Sequence, residues 1–240
     1  MRILLNLKAT KDFFYDKNYF HKLQGFVYSL LKDTPLSILH DKKGYKFFTF
    51  SNIFPLPKEG LDVKNEELKK LIISSPSSIF IKILEEKLKE KMEKKEKIHI
   101  GEMEFEIEKV KVFRIKLRNN LRLISATPII IRIPEKNYEK YKIPKEFRKK
   151  RYVYWRPQYS FEAFVKQLEE NLIKKYKEFY KENFQIDGIF EGFKFLKGPI
   201  VNHVIINGKE QIFVGSLWEF WFSYLSKEKK KLLEFGIDCG

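Results

Sequence analysis

Arg2-Ile3-Leu4-Leu5-Asn6-Leu7-Lys8 opens the chain as an alternating run, the pattern of a strand with one buried face. The segments behind it decide the fold. Asn18 stands where a helix cap belongs, ahead of a helix from about Tyr19 to Lys32 whose apolar set is Phe20, Leu23, Val27, Leu30 and Leu31. Pro35 ends that helix, and Phe47 to Phe54 reads as a buried strand closed by Pro55 and Pro57. Ser75-Pro76 then supplies an N-cap followed by proline at the first helical position. The second helix carries Phe80, Ile83, Leu84, Leu88 and Met92 on its inner face. Its outer face is a solvated Glu/Lys surface with Glu85–Lys89 and Glu90–Lys94 at i,i+4 spacing. Strands are expected at Lys97–Ile100 and Glu104–Val112.

The same order recurs in the second half. Leu121 to Ile133 is strand-rich around Thr127-Pro128, and Ser160 caps a long helix through Phe164, Leu168, Leu172, Tyr176 and Phe179 that ends before Gly188. Strands from Ile189 to Phe222 are interrupted at Gly198-Pro199 and turn at Asn207-Gly208, a hairpin signal. A last helix starts near Ser226 and is expected to stop before Gly236. Each half thus reads β-α-β-β-α-β, the order of the ferredoxin-like split βαβ motif. The fold class is α+β, with two ferredoxin-like domains in tandem, residues 1–118 and 119–240, the second lacking its last strand.

Charge narrows the partner. The 240 residues hold 48 Lys+Arg against 32 Asp+Glu, a formal net charge of +16. Such an excess favours a polyanion, because lysine and arginine neutralise phosphates and release their counterions. Lys/Glu richness alone would fit a thermophile surface, but it does not account for the excess. Cys239 is the single cysteine, which excludes an intrachain disulfide framework and a cysteine-based zinc site. No apolar run approaches the roughly 20 residues of a membrane span, and residues 1–8 are too short and polar for a secretory signal. A soluble, cytoplasmic protein with no membrane partner is expected.

Four histidines, His21, His40, His99 and His203, show no metal-ligand spacing. Paired-carboxylate, GxSxG, Walker and GxGxxG motifs are absent as well. An enzyme with this inventory would work without metal or cofactor. Metal-free RNA scission needs a base for the 2′-hydroxyl, a cation for the non-bridging oxygens and an acid for the leaving 5′-oxygen. Histidine suits proton transfer near neutrality, and lysine is a compact charge for phosphate. His40 lies in Leu39-His40-Asp41-Lys42-Lys43-Gly44-Tyr45-Lys46, among Lys42, Lys43 and Lys46. Tyr28 sits on the first helix beside the Leu23/Val27 stripe, and His21 shares its face as a second candidate histidine. Each has a plainer reading: a loop histidine, a solvent-facing lysine, an interfacial tyrosine.

A second constellation is Lys145-Glu146-Phe147-Arg148-Lys149-Lys150-Arg151-Tyr152-Val153-Tyr154-Trp155-Arg156, with six basic residues and one acidic. Lys145, Arg148, Lys149, Lys150 and Arg151 interleaved with aromatics suit single-stranded RNA, where guanidinium and ring faces stack on unpaired bases. A solvated loop whose aromatics dock on the core is the alternative. Lys194 and Lys197, near Gly198-Pro199, are weaker candidates for the same role, and Lys42 and Lys43 join them from the histidine loop.

Three ordered segments resemble a known family. Leu23-Gln24-Gly25-Phe26-Val27-Tyr28 on the first helix, then Leu39-His40, then Gly44-Tyr45-Lys46-Phe47-Phe48-Thr49-Phe50-Ser51 are similar to the CRISPR-associated endoribonucleases of the RAMP superfamily, which cut precursor CRISPR RNA within its repeats. Thr127-Pro128-Ile129-Ile130 and the helix around Glu169-Glu170-Asn171-Leu172-Ile173-Lys174-Lys175-Tyr176 extend the resemblance into the second half. The resemblance implies tandem RRM-related domains and metal-independent cleavage leaving a 2′,3′-cyclic phosphate and a 5′-hydroxyl. It implies Tyr28, His40 and Lys46 as the catalytic set. Its implied partner is CRISPR repeat RNA, and it allows other CRISPR-associated proteins of an interference complex and a homodimer. One departure stands out. The family closes with a glycine-rich loop, roughly Gly-x-Gly-x-x-x-x-x-Gly-Phe-Gly, and a last strand. Leu232-Leu233-Glu234-Phe235-Gly236-Ile237-Asp238-Cys239-Gly240 reads as the start of such a loop only, so a non-catalytic repeat-RNA-binding module of the same fold is the competing reading.

Overall fold

The structure is a computed structural model that describes residues 1–16, 19–57, 62–148, 151–206 and 209–240. The expected cap at Asn18 and the expected turn at Asn207-Gly208 lie outside the described residues. The chain forms two compact units, residues 1–116 together with 234–240, and residues 117–233.

In the first unit, β1 (Arg2–Ala9) is the alternating run read from the sequence. Ile3, Leu5, Leu7 and Ala9 are fully buried, while the intervening residues are half-exposed. A short β2 (Phe13–Phe14) precedes α1 (Phe20–Leu31). Leu23, Val27, Leu30 and Leu31 of α1 enter the core, whereas Phe20 remains exposed. β3 (Thr49–Phe50), β4 (Asp62–Val63) and β5 (Leu68–Ser74) come next, then α2 (Ser78–Glu93), β6 (Ile98–Ile100) and β7 (Met103–Phe113). The sheet order is β3-β5-β1-β7-β6, all antiparallel. With β6 set aside as a hairpin extension of β7, this is the ferredoxin-like order: the third and fourth strands of the motif flank the first. β1 runs between β5 and β7 with Leu5 opposite both Leu71 and Val110. Fully burying each of its large apolar side chains contributes about 1.5–3 kcal/mol.

Three local readings change. The strand expected over Phe47–Phe54 shrinks to Thr49–Phe50, opposite Ser74 and Ile73, with an isolated bridge from Phe54 to Lys70. Phe47 has a φ of 53°, a left-handed conformation that no strand residue adopts. The cap of α2 is Ser77, whose hydroxyl accepts from the Phe80 amide at 3.2 Å. Ser75 instead accepts from the Ser77 amide at 3.1 Å and donates to the Phe47 carbonyl at 2.7 Å. The expected surface pairs are present, with Lys89–Glu85 and Lys94–Glu90 each at 2.7 Å.

The second unit contains β8 (Leu121–Ile124), β9 (Arg132–Pro134), β10 (Tyr152–Tyr154), α3 (Phe161–Tyr180), β11 (Gly192–Ile206) and β12 (Lys209–Phe222). The sheet order β11-β12-β8 gives the second, third and first strands of the ferredoxin-like motif, and no described strand lies on the outer edge of β8. Beyond β8 the chain rejoins β12 at the Ile129–Ser216 bridge. Gly215 is needed there, because a Cβ would sit 2.8 Å from Pro128 Cβ. Ser160 caps α3 by accepting from the Ala163 amide at 3.4 Å. The core is aromatic: Phe164 stacks on Trp218 at 4.0 Å, and Trp155 lies 5.3 Å from Trp218. Glu169 of α3 accepts from the Ile189 amide at 2.7 Å, fixing the approach to β11.

The last helix, α4 (Lys227–Cys239), does not stop before Gly236. Leu232, Phe235 and Cys239 are buried at helical spacing, so the stretch read as the start of a glycine-rich loop is helical. Its end is tied within the first unit, where Asp238 pairs with the Met1 amino group and with Arg2 Nε, and Arg2 Nη2 donates to the Ile237 carbonyl at 2.8 Å. No helix among the described residues is long and apolar enough to cross a membrane.

Candidate active site

Tyr28, His40 and Lys46 come together at one edge of the first unit. Tyr28 is in the last third of α1, half-buried. His40 follows a 3₁₀ turn, Ser37–Leu39, and its amide donates to the Ser37 carbonyl at 3.1 Å. Its ring meets the Tyr28 ring edge-on, with centroids 5.1 Å apart. Gly44, with a φ of 91°, lets the loop reverse after the lysines. The reversal brings Lys46 back along the loop. Lys46 Nζ donates to the carbonyls of Leu39 and His40 at 2.5 and 2.7 Å and lies 5.5 Å from the Tyr28 ring centroid. Tyr28 packs in turn against Phe48 at 5.9 Å, and Phe48 stacks on Phe80 of α2 at 5.1 Å. Packing from the core thus locates the tyrosine, the tyrosine seats the imidazole, and two carbonyls fix the ammonium.

Two partners were not legible as such in the sequence. His40 Nδ1 is 2.7 Å from Asp41 Oδ1. A carboxylate opposite Nδ1 favours the tautomer with the hydrogen on Nδ1, which in the neutral ring puts the lone pair on Nε2. The His40 side chain is 67% exposed, which leaves that nitrogen open to an incoming group. Gln24 Nε2 donates to the Tyr28 hydroxyl at 3.2 Å. The phenolic oxygen therefore accepts from Gln24, and its own proton is free to be donated elsewhere. Gln24 had a signal in sequence, its position in the Leu-Gln-Gly run; Asp41 had only its adjacency to His40.

His21 lies exposed two turns earlier on α1 and takes part in none of these contacts. Lys42 and Lys43 are exposed in the loop, with Lys42 Nζ 5.3 Å from the Phe47 ring centroid. In the second unit, Lys145 and Arg151 are exposed, as are Lys194 and Lys197 on β11. Arg148 is engaged within its own unit: Nε donates to the Ile143 carbonyl at 2.6 Å and Nη1 pairs with Glu139. Lys149 and Lys150 lie outside the described residues. Among the described residues, no three His, Cys, Asp or Glu side chains gather as metal ligands would.

Two units, each with antiparallel strands in ferredoxin-like order, are the architecture of a RAMP-type protein, and the first unit carries Tyr28, His40 and Lys46 together at its edge. The family model described as CRISPR associated protein Cas6, C-terminal, matches residues 118–240. The chain is 34% identical over 246 residues to "CRISPR-associated endoribonuclease Cas6 2" of Methanocaldococcus jannaschii, covering all of this chain and 93% of that protein. It is 26% identical over 248 residues to "CRISPR-associated endoribonuclease Cas6" of Haloferax mediterranei, covering 88% of that protein. A solved structure described as "CRISPR associated protein Cas6" superposes with a TM-score of 0.69 at 26% identity, over all of this chain and 92% of that one. A second, "An RAMP protein binding different RNA substrates", has a TM-score of 0.67 at 19% identity and shares the fold. The chain belongs to the Cas6 family of CRISPR-associated proteins.

Proposed function

We propose that the protein is a metal-independent endoribonuclease that cleaves CRISPR repeat RNA. The observation that supports this reading most is the Tyr28–His40–Lys46 cluster, with an imidazole 5.1 Å from the tyrosine ring and the ammonium 5.5 Å from it. His40 Nε2 takes the proton of a ribose 2′-hydroxyl. The 2′-oxygen attacks the adjacent phosphorus, and the bond to the 5′-oxygen breaks. Lys46 stabilises the charge that builds on the non-bridging oxygens. The Tyr28 hydroxyl, accepting from Gln24, positions the 2′-hydroxyl or donates a proton to the leaving 5′-oxygen; where it only positions, the imidazolium formed on His40 gives the 5′-oxygen its proton. The products are a 2′,3′-cyclic phosphate and a 5′-hydroxyl. That relatives sharing the whole chain are named endoribonucleases supports the substrate class. The exposed lysines and arginines of both units supply the phosphate contacts. Association with a second copy or with other CRISPR-associated proteins belongs to the same reading and is checked by light scattering with and without RNA.

The test uses repeat RNA in EDTA beside the same RNA carrying a 2′-deoxy at the scissile nucleotide. Cutting is expected for the first and absent for the second; cutting of the deoxy substrate would sink the mechanism. His40→Ala should slow cleavage at least about 100-fold while RNA binding stays near wild type. The helix over Leu232, Phe235 and Cys239, where the resemblance called for a glycine-rich loop, favours a second reading as a repeat-RNA-binding module without catalysis. Tight binding with no cutting by the wild-type chain would establish it.

A further inference from the structure

Arg132 is an arginine held by rings, not carboxylates. β9 and β10 pair antiparallel with Arg132 opposite Tyr154, Ile133 opposite Val153 and Pro134 opposite Tyr152. The pleat therefore sends Ile133, fully buried, to one face and Arg132, Tyr152 and Tyr154 to the other. The guanidinium carbon lies 4.6 Å from the Tyr152 ring centroid, 5.6 Å from Tyr154 and 6.0 Å from Phe213 of β12. The two tyrosine rings meet edge to face at 5.6 Å. Arg132 Nη2 donates to the Tyr154 hydroxyl at 3.4 Å. Among the described residues no carboxylate lies within ion-pair distance of Arg132, whereas Arg122 pairs with Glu219 and Arg148 with Glu139. Both Arg132 and Tyr152 are exposed, Tyr152 by 36%.

We infer that Arg132 and Tyr152 form a stacking platform for one unpaired nucleotide of the RNA, an inference that rests on the proposed RNA-processing function. The chemistry is specific to that ligand. A guanidinium lying against tyrosine rings is planar, always charged and oriented before the ligand arrives. Its outer surface and the exposed tyrosine ring offer π faces to a base. Its unused N–H groups, only one being engaged by Tyr154, reach a phosphate or a base edge. A lysine at this position would keep the charge and lose the plane. Tyr154 and Phe213, both half-buried, act as the seat that holds the guanidinium, not as contact surface.

The test scans 2-aminopurine through the unpaired part of a repeat RNA that carries the 2′-deoxy block, and titrates each RNA with full-length wild type, Arg132→Lys and Tyr152→Leu. At one position the wild-type protein should quench the fluorescence by stacking. Both variants should restore it, with affinity about tenfold weaker. Arg132→Ala, but not Arg132→Lys, should also reduce the salt slope of binding by about one unit. Thermal melts near wild type verify that the variants are folded, and Arg132→Lys, an exposed strand exchange, carries the test if Tyr152→Leu melts early. Wild-type binding with quenching and affinity unchanged within twofold in the variants would overturn the platform alone. Failure of the wild-type chain to bind RNA in a salt-dependent way would overturn the proposed function and the platform with it.

Discussion

Lys46 in the first unit and Arg132 in the second solve one problem by different chemistry. Several cations of the scaffold face a carboxylate: Lys97 meets Glu104 at 2.8 Å, Lys22 meets Asp16 at 2.9 Å and Lys69 meets Glu67 at 2.7 Å. Lys46 is held by two backbone carbonyls and Arg132 by tyrosine rings. A cation opposite a carboxylate is neutralised where it sits. A cation fixed by dipoles or ring faces keeps its whole charge and loses only its freedom, which is what electrostatic preorganisation requires. The two differ in shape as well. The ammonium is a compact point charge beside an imidazole, the shape that suits a single phosphate oxygen. The guanidinium is a plate, suited to a base.

The sharpest way to break that comparison is to exchange the roles. Lys46→Ala should lower the single-turnover cleavage rate about 100- to 1,000-fold, the effect typical of removing one preorganised group that stabilises developing charge. RNA affinity should change only a few-fold, the reverse of the expected Arg132 pattern. Lys46→Arg tests the shape argument, since the fork keeps the charge but spreads it over a larger plane with its donors in fixed directions; its rate should stay well below wild type. Equal loss of binding and rate in Lys46→Ala would show that this lysine is one phosphate contact among many. Tyr28→Phe preserves the ring against which His40 and Lys46 rest and removes only the hydroxyl. The cost should be about tenfold in rate, the worth of one hydrogen bond, with no loss of thermal stability.

What could be read from the sequence follows from where the information is local. The alternation of β1 and the period of α2 are set by which side chains meet the core, and both stand in the structure as read. The ordered run from Leu23 to Lys46 placed three residues near one another because a helix and a short loop leave little choice. The aromatic run after Lys46 misled: Phe47 turns left-handed, Phe48 turns toward Tyr28 and Phe80, and only Thr49 and Phe50 form a strand on β5, with Phe54 bridging to it separately. The cap of α2 was read two residues early because Ser75-Pro76 satisfies a local rule, yet the Ser75 hydroxyl is used on Phe47. Gly236 looked like a stop, but Leu232, Phe235 and Cys239 bury at helical spacing and Asp238 is anchored by Arg2, so packing overrode the weak local preference of one glycine. Arg132 carried no sequence signal, because its aromatic partners are set by the register of β9 on β10 and by β12, some eighty residues away. The basic run around Arg148 looked uniform, while in the fold one of its members is paired with Glu139 and another, Arg151, is exposed.

The smallest expected effect concerns the scaffold half of the comparison. Glu104 on β7 accepts from Lys97 and from the Thr10 hydroxyl, with Lys11 at 3.8 Å and His99 also at 3.8 Å. The Lys97 hydrogen bond first, and the Thr10 hydroxyl next, bring its carboxyl down to about 2 from the usual 4.5. The folded state therefore binds this proton less readily than the unfolded chain. The stabilisation is fully present above about pH 4.5 and is lost as the pH falls toward 2. Glu104→Gln should lower the melting temperature by a few degrees at pH 7, and the gap between variant and wild type should close as the pH approaches 2. A gap independent of pH would mean that the side chain contributes by packing and not by its charge. Lys46 has no carboxylate to lose, so Lys46→Ala should show no such closing gap over the same range. Melts of the two variants side by side thus separate an ion pair that stabilises the fold from a cation held by backbone carbonyls.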